Sequence, residues 1–340
     1  MNAKQLPHTP MRRTARLARV ALISLVAWVS GATVTLADQD LLVQQELLVE
    51  QDPLNHPPGR MVDVGGHRLH LQCEGDRAPT VVVEAGLAGF SLEWRAIQAA
   101  VADDLRVCIY DRAGYGWSER GPEPRTVDRI ARELDRMLAA AGERPPFILV
   151  GHSFGGYVVR YYASQRPESI AGLVFVDASQ PEQHALMPIS MPSGRGRLHA
   201  TPVIPEDFPA DLETLALRLM LKPGARETQY SELRYFSASA AKLDAVSALP
   251  NVPVVVLARA PDQAPRVWDA ALRDERIWQG LQASFASRTP GSSYFEVLGA
   301  HHHIHLSHPQ RVAEAIRGVS MAARFVSEMS AQRFAQADGR

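Results

Sequence analysis

Cysteine is scarce: the 340-residue chain has two, Cys73 and Cys108. That is too few for a disulfide-built scaffold, and a chain this long can bury a core without staples. The net charge is −1, and no run of like charge stands out beyond residue 37. The basic patch of a nucleic-acid footprint is therefore missing. Only one long apolar stretch is present, so a bundle of membrane spans is excluded. No internal repeat is visible. Charged residues make up 21% and hydrophobic residues 46%, which excludes disordered, collagen-like and coiled-coil chains.

The one apolar stretch, Val20 to Ala37, follows a basic run of Arg12, Arg13, Arg16 and Arg19. Small residues offer cleavage after Ala32 or Ala37. This is the plan of a secretory signal peptide, with an uncleaved membrane anchor as its rival. Both readings export the rest of the chain. Residues 1–37 hold five bases and no acid, which leaves the remainder with about six more acids than bases. Residues 38–57 read as a linker ending near Pro57-Pro58-Gly59.

Beyond it, short apolar runs alternate with helical periods. Thr80–Glu84, Arg106–Tyr110, Phe147–Val150, Ile170–Val176, Val252–Leu257 and Ser292–Leu298 read as strands, after a hairpin of Met61–Gly65 and His67–Cys73. Val127, Ile130, Leu134, Met137, Leu138 and Ala141 form a helical stripe. A closing helix carries Val312, Ala315, Ile316 and Val319, with Ser307 placed as its N-cap and Pro309 in its first turn. The alternation predicts an α/β fold, a mostly parallel sheet with helices on both faces. The core spans 58–180 and 250–326, and 327–340 reads as a tail. Residues 181–249, which show no clear strand, read as an inserted lid.

Gly151-His152-Ser153-Phe154-Gly155-Gly156 lies directly after a strand and before a helix. This is the strand–turn–helix setting in which a G-x-S-x-G serine stands clear on a sharp turn. Side chains two residues before and after it would collide, so both places need Gly. A serine hydroxyl needs a base, and His302 is the choice within Gly299–Pro309. That segment also raises a metal site, since His301 and His305 at i,i+4 would both face one ion if helical. It reads as a loop, and no carboxylate or Cys ligand adjoins it, so no metal is assigned. An orienting acid completes the set. Asp262 is preferred, after the penultimate strand and in the chain order Ser…Asp…His. Asp177, ending the strand Ile170–Val176, is the alternative. The oxyanion donors are the N–H groups of Phe154 and, from the turn Glu84–Gly89, of Leu87.

Three segments together resemble the α/β-hydrolase superfamily, in its esterase, lipase and peptidase-like group. They are Gly151–Gly156, His302-His303-Ile304-His305 and Asp111-Arg112-Ala113-Gly114-Tyr115-Gly116-Trp117-Ser118, the last similar to the family's D-x-x-G-x-G-x-S turn. The resemblance covers about residues 60–180 and 250–325. It implies an eight-stranded sheet with an antiparallel second strand and the triad Ser153, Asp262 and His302. Two positions depart from the family pattern: Ala85 stands for the common His before Gly86, and Arg259 for a common Gly. The family's strand order sets the second strand beside the fourth, which implies a cross-strand disulfide between Cys73 and Cys108.

The expectation is an exported serine hydrolase that needs no cofactor. A carboxylic ester is the first substrate class and an amide or peptide bond the second, since one triad serves both. Met187, Met191, Leu215, Leu219, Met220 and Leu221 in the lid suggest a small molecule with an apolar group, or simply pack the lid on the core. A binding protein that keeps the fold without turnover is the reading from another class.

Overall fold

The computed structural model describes residues 52–187, 204–205, 207–245, 249–260 and 270–338. The leader at 1–37 and Asp262 lie outside them. Eight strands make one sheet: β1 (Arg60–Asp63), β2 (Arg68–Glu74), β3 (Thr80–Glu84), β4 (Val107–Tyr110), β5 (Phe147–His152), β6 (Ile170–Val176), β7 (Val254–Ala260) and β8 (Ser292–Leu298). Their order is β1-β2-β4-β3-β5-β6-β7-β8. β2 is antiparallel to β1 and to β4, and the pairs from β4 through β8 are parallel. This is the α/β-hydrolase fold that the motifs imply.

The central strands are apolar throughout because helices cover both faces. Alternate residues feed separate cores. Val82, Leu149, Leu173 and Phe175 point to one face, where α2 (Val127–Ala141) and α3 (Gly155–Gln165) pack. Val81, Val83, Ile148, Val150, Val174 and Val176 point to the other. There they meet Ile97 of α1 (Arg95–Val101) and Val312, Ile316 and Val319 from the closing helix. The stripe read along α2 is buried as expected, from Val127 through Leu138. Gly142 ends that helix in the left-handed region, at φ 76°, and Glu143 N–H bonds back to Leu138 O at 3.0 Å.

Between β6 and β7 the described residues form α4 (Gln183–Leu186), α5 (Glu213–Met220), α6 (Pro223–Arg234) and α7 (Phe236–Asp244), and no strand. Phe236, Ala240 and Leu243 of α7 join the main core. Of the apolar residues singled out in this insertion, Leu219 is buried, Met187, Leu215 and Met220 are half-buried and Leu221 is exposed. Met191 lies outside the described residues.

Among the boundaries that differ from the sequence reading, three bear on the site or the chain's end. β7 runs on to Ala260, so Arg259 is a strand residue paired with Val297 and not part of a loop. After α8 (Ala270–Arg288) and β8, Ser307 ends the one-turn α9 (Ile304–Ser307), and α10 (Pro309–Asp338) starts at the proline itself. Its fixed φ and missing N–H suit a first helical position. α10 continues to Asp338 through the residues read as a tail, because Ala, Met, Gln and Arg favour a helix and no Gly or Pro interrupts before Gly339. Among the described residues no helix is long and apolar enough to cross a membrane.

Cys73 and Cys108 face each other across β2 and β4 and are joined as a disulfide. Protein produced under oxidising conditions and unfolded without reductant is expected to show no reactive thiol; titration of two thiols would contradict the pairing. With the bonded positions separated by 35 in sequence, removing both sulfurs is expected to cost about 2–4 kcal/mol in a denaturant melt.

Candidate active site

The parallel strands end on one side of the sheet, where an open α/β sheet binds its ligands. β5 delivers Ser153 there on a turn that forces it into the left-handed region, at φ 50°, a conformation strained for a residue with a side chain. The turn is tight on every side. A Cβ on Gly151 would lie 2.9 Å from Gly156 Cα, one on Gly155 2.6 Å from Ala85 O, and one on Gly156 2.6 Å from Ala178 Cβ. The three glycines are thus required by packing, as the motif's spacing predicts. α3 begins immediately behind, directing its N-terminal dipole toward the serine.

Ser153 Oγ lies 3.0 Å from His302 Nε2. His302 Nδ1 lies 2.6 Å from Asp177 Oδ2. The structure therefore brings together Ser153 and His302 as expected, but the carboxylate on the histidine is Asp177. Asp177, immediately after β6, is the alternative acid of the sequence reading, and it is the one placed on the imidazole; the preferred Asp262 lies outside the described residues. The Asp177 backbone is also left-handed, at φ 44°.

Asp177 is completely buried and well satisfied. Its Oδ1 accepts from Trp278 Nε1 at 2.8 Å and from Arg259 N–H at 3.2 Å. Its Oδ2 accepts a second hydrogen bond, from Arg259 Nη1 at 2.6 Å. Burial alone would raise this carboxyl. The hydrogen bond and charge of His302, with Arg259 and Trp278, outweigh burial and hold it below its ordinary value. Arg259 is itself paired with Glu275 of α8 at 2.8 Å and lies over the Trp278 ring.

The other histidines have separate surroundings. His152 is buried and its Nε2 meets His302 O at 2.9 Å. A carbonyl only accepts, so Nε2 carries the proton and the bond fixes the backbone of the base. His305 is buried and stacked on Trp94, ring centroids 4.3 Å apart. Burial, then neighbouring histidine charge, pushes His305 down to about 3, His303 to about 4 and His152 well below its ordinary value. His301 is exposed while His305 is enclosed, so the i,i+4 pair considered as metal ligands does not form. Among the described residues one group of possible ligands converges, Cys73, Cys108 and Glu143, and its sulfurs are bonded to each other.

Of the two residues assigned as oxyanion donors, one adjoins the serine in sequence and the other adjoins Gly86, which abuts it. Phe154 follows Ser153 and opens α3. Leu87 is half-buried in the turn after β3. Gly86 abuts the serine so closely that a Cβ there would lie 3.2 Å from Ser153 Cβ and 2.7 Å from His152 Nδ1. Sequence reasoning missed Trp278 and Glu275 altogether, and it noted Arg259 only as a departure from the family pattern. A basic residue at a buried strand's end was the available signal for Arg259. Nothing local marks the other two.

The alpha/beta hydrolase fold family matches residues 79–221. The chain is 34% identical over 146 residues to the "Probable transporter efuK" of Hormonema carpetanum, covering 41% of this chain and 21% of that protein. The chain thus spans about a fifth of that relative's length. It is 29% identical over 261 residues to the uncharacterized protein YqjL of Bacillus subtilis (strain 168), covering 76% of this chain and 91% of that one. Among solved structures, a thermophilic esterase from Thermogutta terrifontis is similar in fold at a TM-score of 0.55 and 20% identity, covering 78% of this chain and 99% of that one. The eight-stranded sheet, the serine turn at the end of its fifth strand and the family match across that segment agree: the chain has the α/β-hydrolase fold, and its residues 79–221 match the alpha/beta hydrolase fold family.

Proposed function

We propose that this protein is a serine hydrolase that cleaves carboxylic esters through an acyl-enzyme. The observation that carries the reading is the hydrogen-bonded chain from Ser153 Oγ through His302 to Asp177, at 3.0 and 2.6 Å. In the proposed reaction Ser153 Oγ attacks the acyl carbon while His302 Nε2 takes its proton. The tetrahedral oxyanion is held by the N–H groups of Leu87 and Phe154. As the intermediate collapses, His302 returns the proton to the leaving alcohol, and the acyl group stays on Ser153. Water, deprotonated by His302, then releases the acid. Asp177 holds the imidazole with Nε2 facing the serine and stabilises its charged form. These residues complete the reaction without a cofactor.

The substrate we propose is a small molecule with an apolar acyl or alcohol group. The ring centroid of Phe236, from the insertion, lies 5.8 Å from that of Phe154, so the insertion packs apolar side chains beside the serine turn. In this reading the insertion is a lid. We also place the protein outside the cytoplasm, as a secreted or periplasmic enzyme or one held by an N-terminal anchor. The basic-apolar segment at 1–37 and the Cys73–Cys108 disulfide support that placement.

Residues 38–340 are expected to hydrolyse chromogenic esters of graded chain length, and Ser153→Ala to lose on the order of 10⁶ in kcat where chemistry limits the rate. Equal rates from both proteins would refute the serine mechanism. Activity on anilides but not on esters would move the assignment to amide bonds.

The identity of the acid has its own test. Asp177→Asn is expected to lower kcat on the order of 10⁴ by favouring the wrong imidazole tautomer, while Asp262→Asn stays within a few-fold of wild type. The reverse pattern would restore Asp262 as the acid.

A further inference from the structure

Arg112, the second residue of the Asp111–Ser118 turn, is fully buried and lies over the ring of Phe154, 5.6 Å from its centroid. A guanidinium has five N–H donors, and here five hydrogen bonds engage it. Nη1 donates to Glu84 Oε1 at 2.9 Å and to Ala85 O at 2.6 Å. Nη2 donates to Gly86 O at 2.7 Å and to Glu232 Oε2 at 3.1 Å, and Nε donates to Glu232 Oε1 at 2.9 Å. Glu232 therefore grips the guanidinium through two parallel bonds, the geometry in which arginine and carboxylate pair most strongly.

These partners come from three places in the chain. Glu84 ends β3, and Ala85 and Gly86 begin the turn after it that abuts Ser153. Arg112 follows β4. Glu232 belongs to α6, within the insertion. Tyr115 adds a second tie: its hydroxyl donates to Glu232 Oε2 at 2.9 Å and is also hydrogen-bonded to the backbone of Ala88. The turn is thus held at Ala85, Gly86 and Ala88 by two side chains that meet on one carboxylate of the insertion.

The peptide plane gives this arrangement its consequence. Carbonyl and N–H point opposite ways across a trans peptide. Fixing Gly86 C=O on Arg112 therefore fixes the direction of Leu87 N–H, the donor assigned to the oxyanion. Rotating that peptide would leave a buried guanidinium donor unpaired, which is costly. The same guanidinium packs on Phe154, whose N–H is the other donor.

We propose that Arg112 is a positioning residue that sets the oxyanion donors, and that Glu232 ties their alignment to docking of the helical insertion. The proposal rests on the acyl-serine reading and adds to it: transition-state stabilisation depends on a contact made 120 residues away in sequence.

The test compares a matched ester and thionoester of one alcohol, because a thiocarbonyl sulfur accepts hydrogen bonds poorly and so reports on the oxyanion donors. The full chain, Arg112→Lys, Arg112→Gln and Glu232→Gln are assayed, each checked for a wild-type-like near-UV dichroism spectrum. In the Arg112 variants kcat on the oxoester is expected to fall by about 10²–10³, the effect of losing an oxyanion donor, with KM within a few-fold. The oxo-to-thiono ratio of kcat/KM should fall by a similar factor. Glu232→Gln, which keeps the side chain's shape, should lower the ratio in the same direction by about tenfold.

Loss of folded or active molecules alone would depress both substrates equally and leave the ratio unchanged. Folded variants that retain the wild-type ratio would overturn this inference while leaving the hydrolase reading intact. Should the Arg112 variants fail to fold, the ratio in Glu232→Gln decides by the same criterion. A wild-type protein that turns over neither ester would overturn the hydrolase reading, and this inference with it.

Discussion

The close approach of two strand ends governs the site. The turn that carries Ser153 is pressed against the end of β3, with the position of Gly155 beside the carbonyls of Glu84 and Ala85 and that of Gly86 beside Ser153 itself. β3 and β5 are neighbours in register, Glu84 opposite Gly151. No side chain fits between the two turns, so both must be built of glycine or very small residues at the points of contact. The strained backbone at Ser153 is tolerated because packing on both sides leaves it nowhere to relax. Serine, the turn after β3 and the helix N-terminus are consequently parts of one rigid assembly.

Much of this was legible in the sequence. The strand–turn–helix around Ser153 is a local pattern, and local patterns survive without knowledge of the fold. The strand order implied by the family resemblance likewise placed Cys73 opposite Cys108. The acid was not legible, for a definite reason. Asp177 and Asp262 both follow an apolar strand and both lie between the serine and the histidine in chain order. What distinguishes Asp177 is its company: Arg259 and Trp278, 82 and 101 residues further along. Periodicity carries no information about such contacts. The choice of Asp262 also rested on ending β7 at Leu257, whereas the strand continues to Ala260 and turns Arg259 from a loop residue into a partner of Asp177. The role of Arg112 was hidden in the same way, since its partner Glu232 lies on a helix in a region that showed only an absence of strands.

Buried charge at the site is arranged in alternation. Glu275 faces Arg259, Arg259 faces Asp177, and Asp177 faces His302. Burying a single carboxylate costs several kcal/mol unless it is paired and hydrogen-bonded. Asp177 meets that requirement with four donors, and Arg259 is neutralised in turn by Glu275. The arginine both stabilises the carboxylate charge and, with Trp278, fixes its plane, leaving Oδ2 directed at the imidazole.

The neutral histidines complete the logic. An imidazolium forming on His302 would be opposed by any positive charge beside it; the rings of His152 and His303 pack close to it, and His305 packs on His152. Burial keeps all three uncharged at neutral pH, each pushed well below the ordinary histidine range. His152, His303 and His305 thus form an uncharged surround for the one histidine that faces the serine. Because His152 holds the carbonyl of His302 and Asp177 holds its ring, both the backbone and the side chain of the base are fixed from opposite ends. Its other ring nitrogen, Nε2, is thereby directed at Ser153.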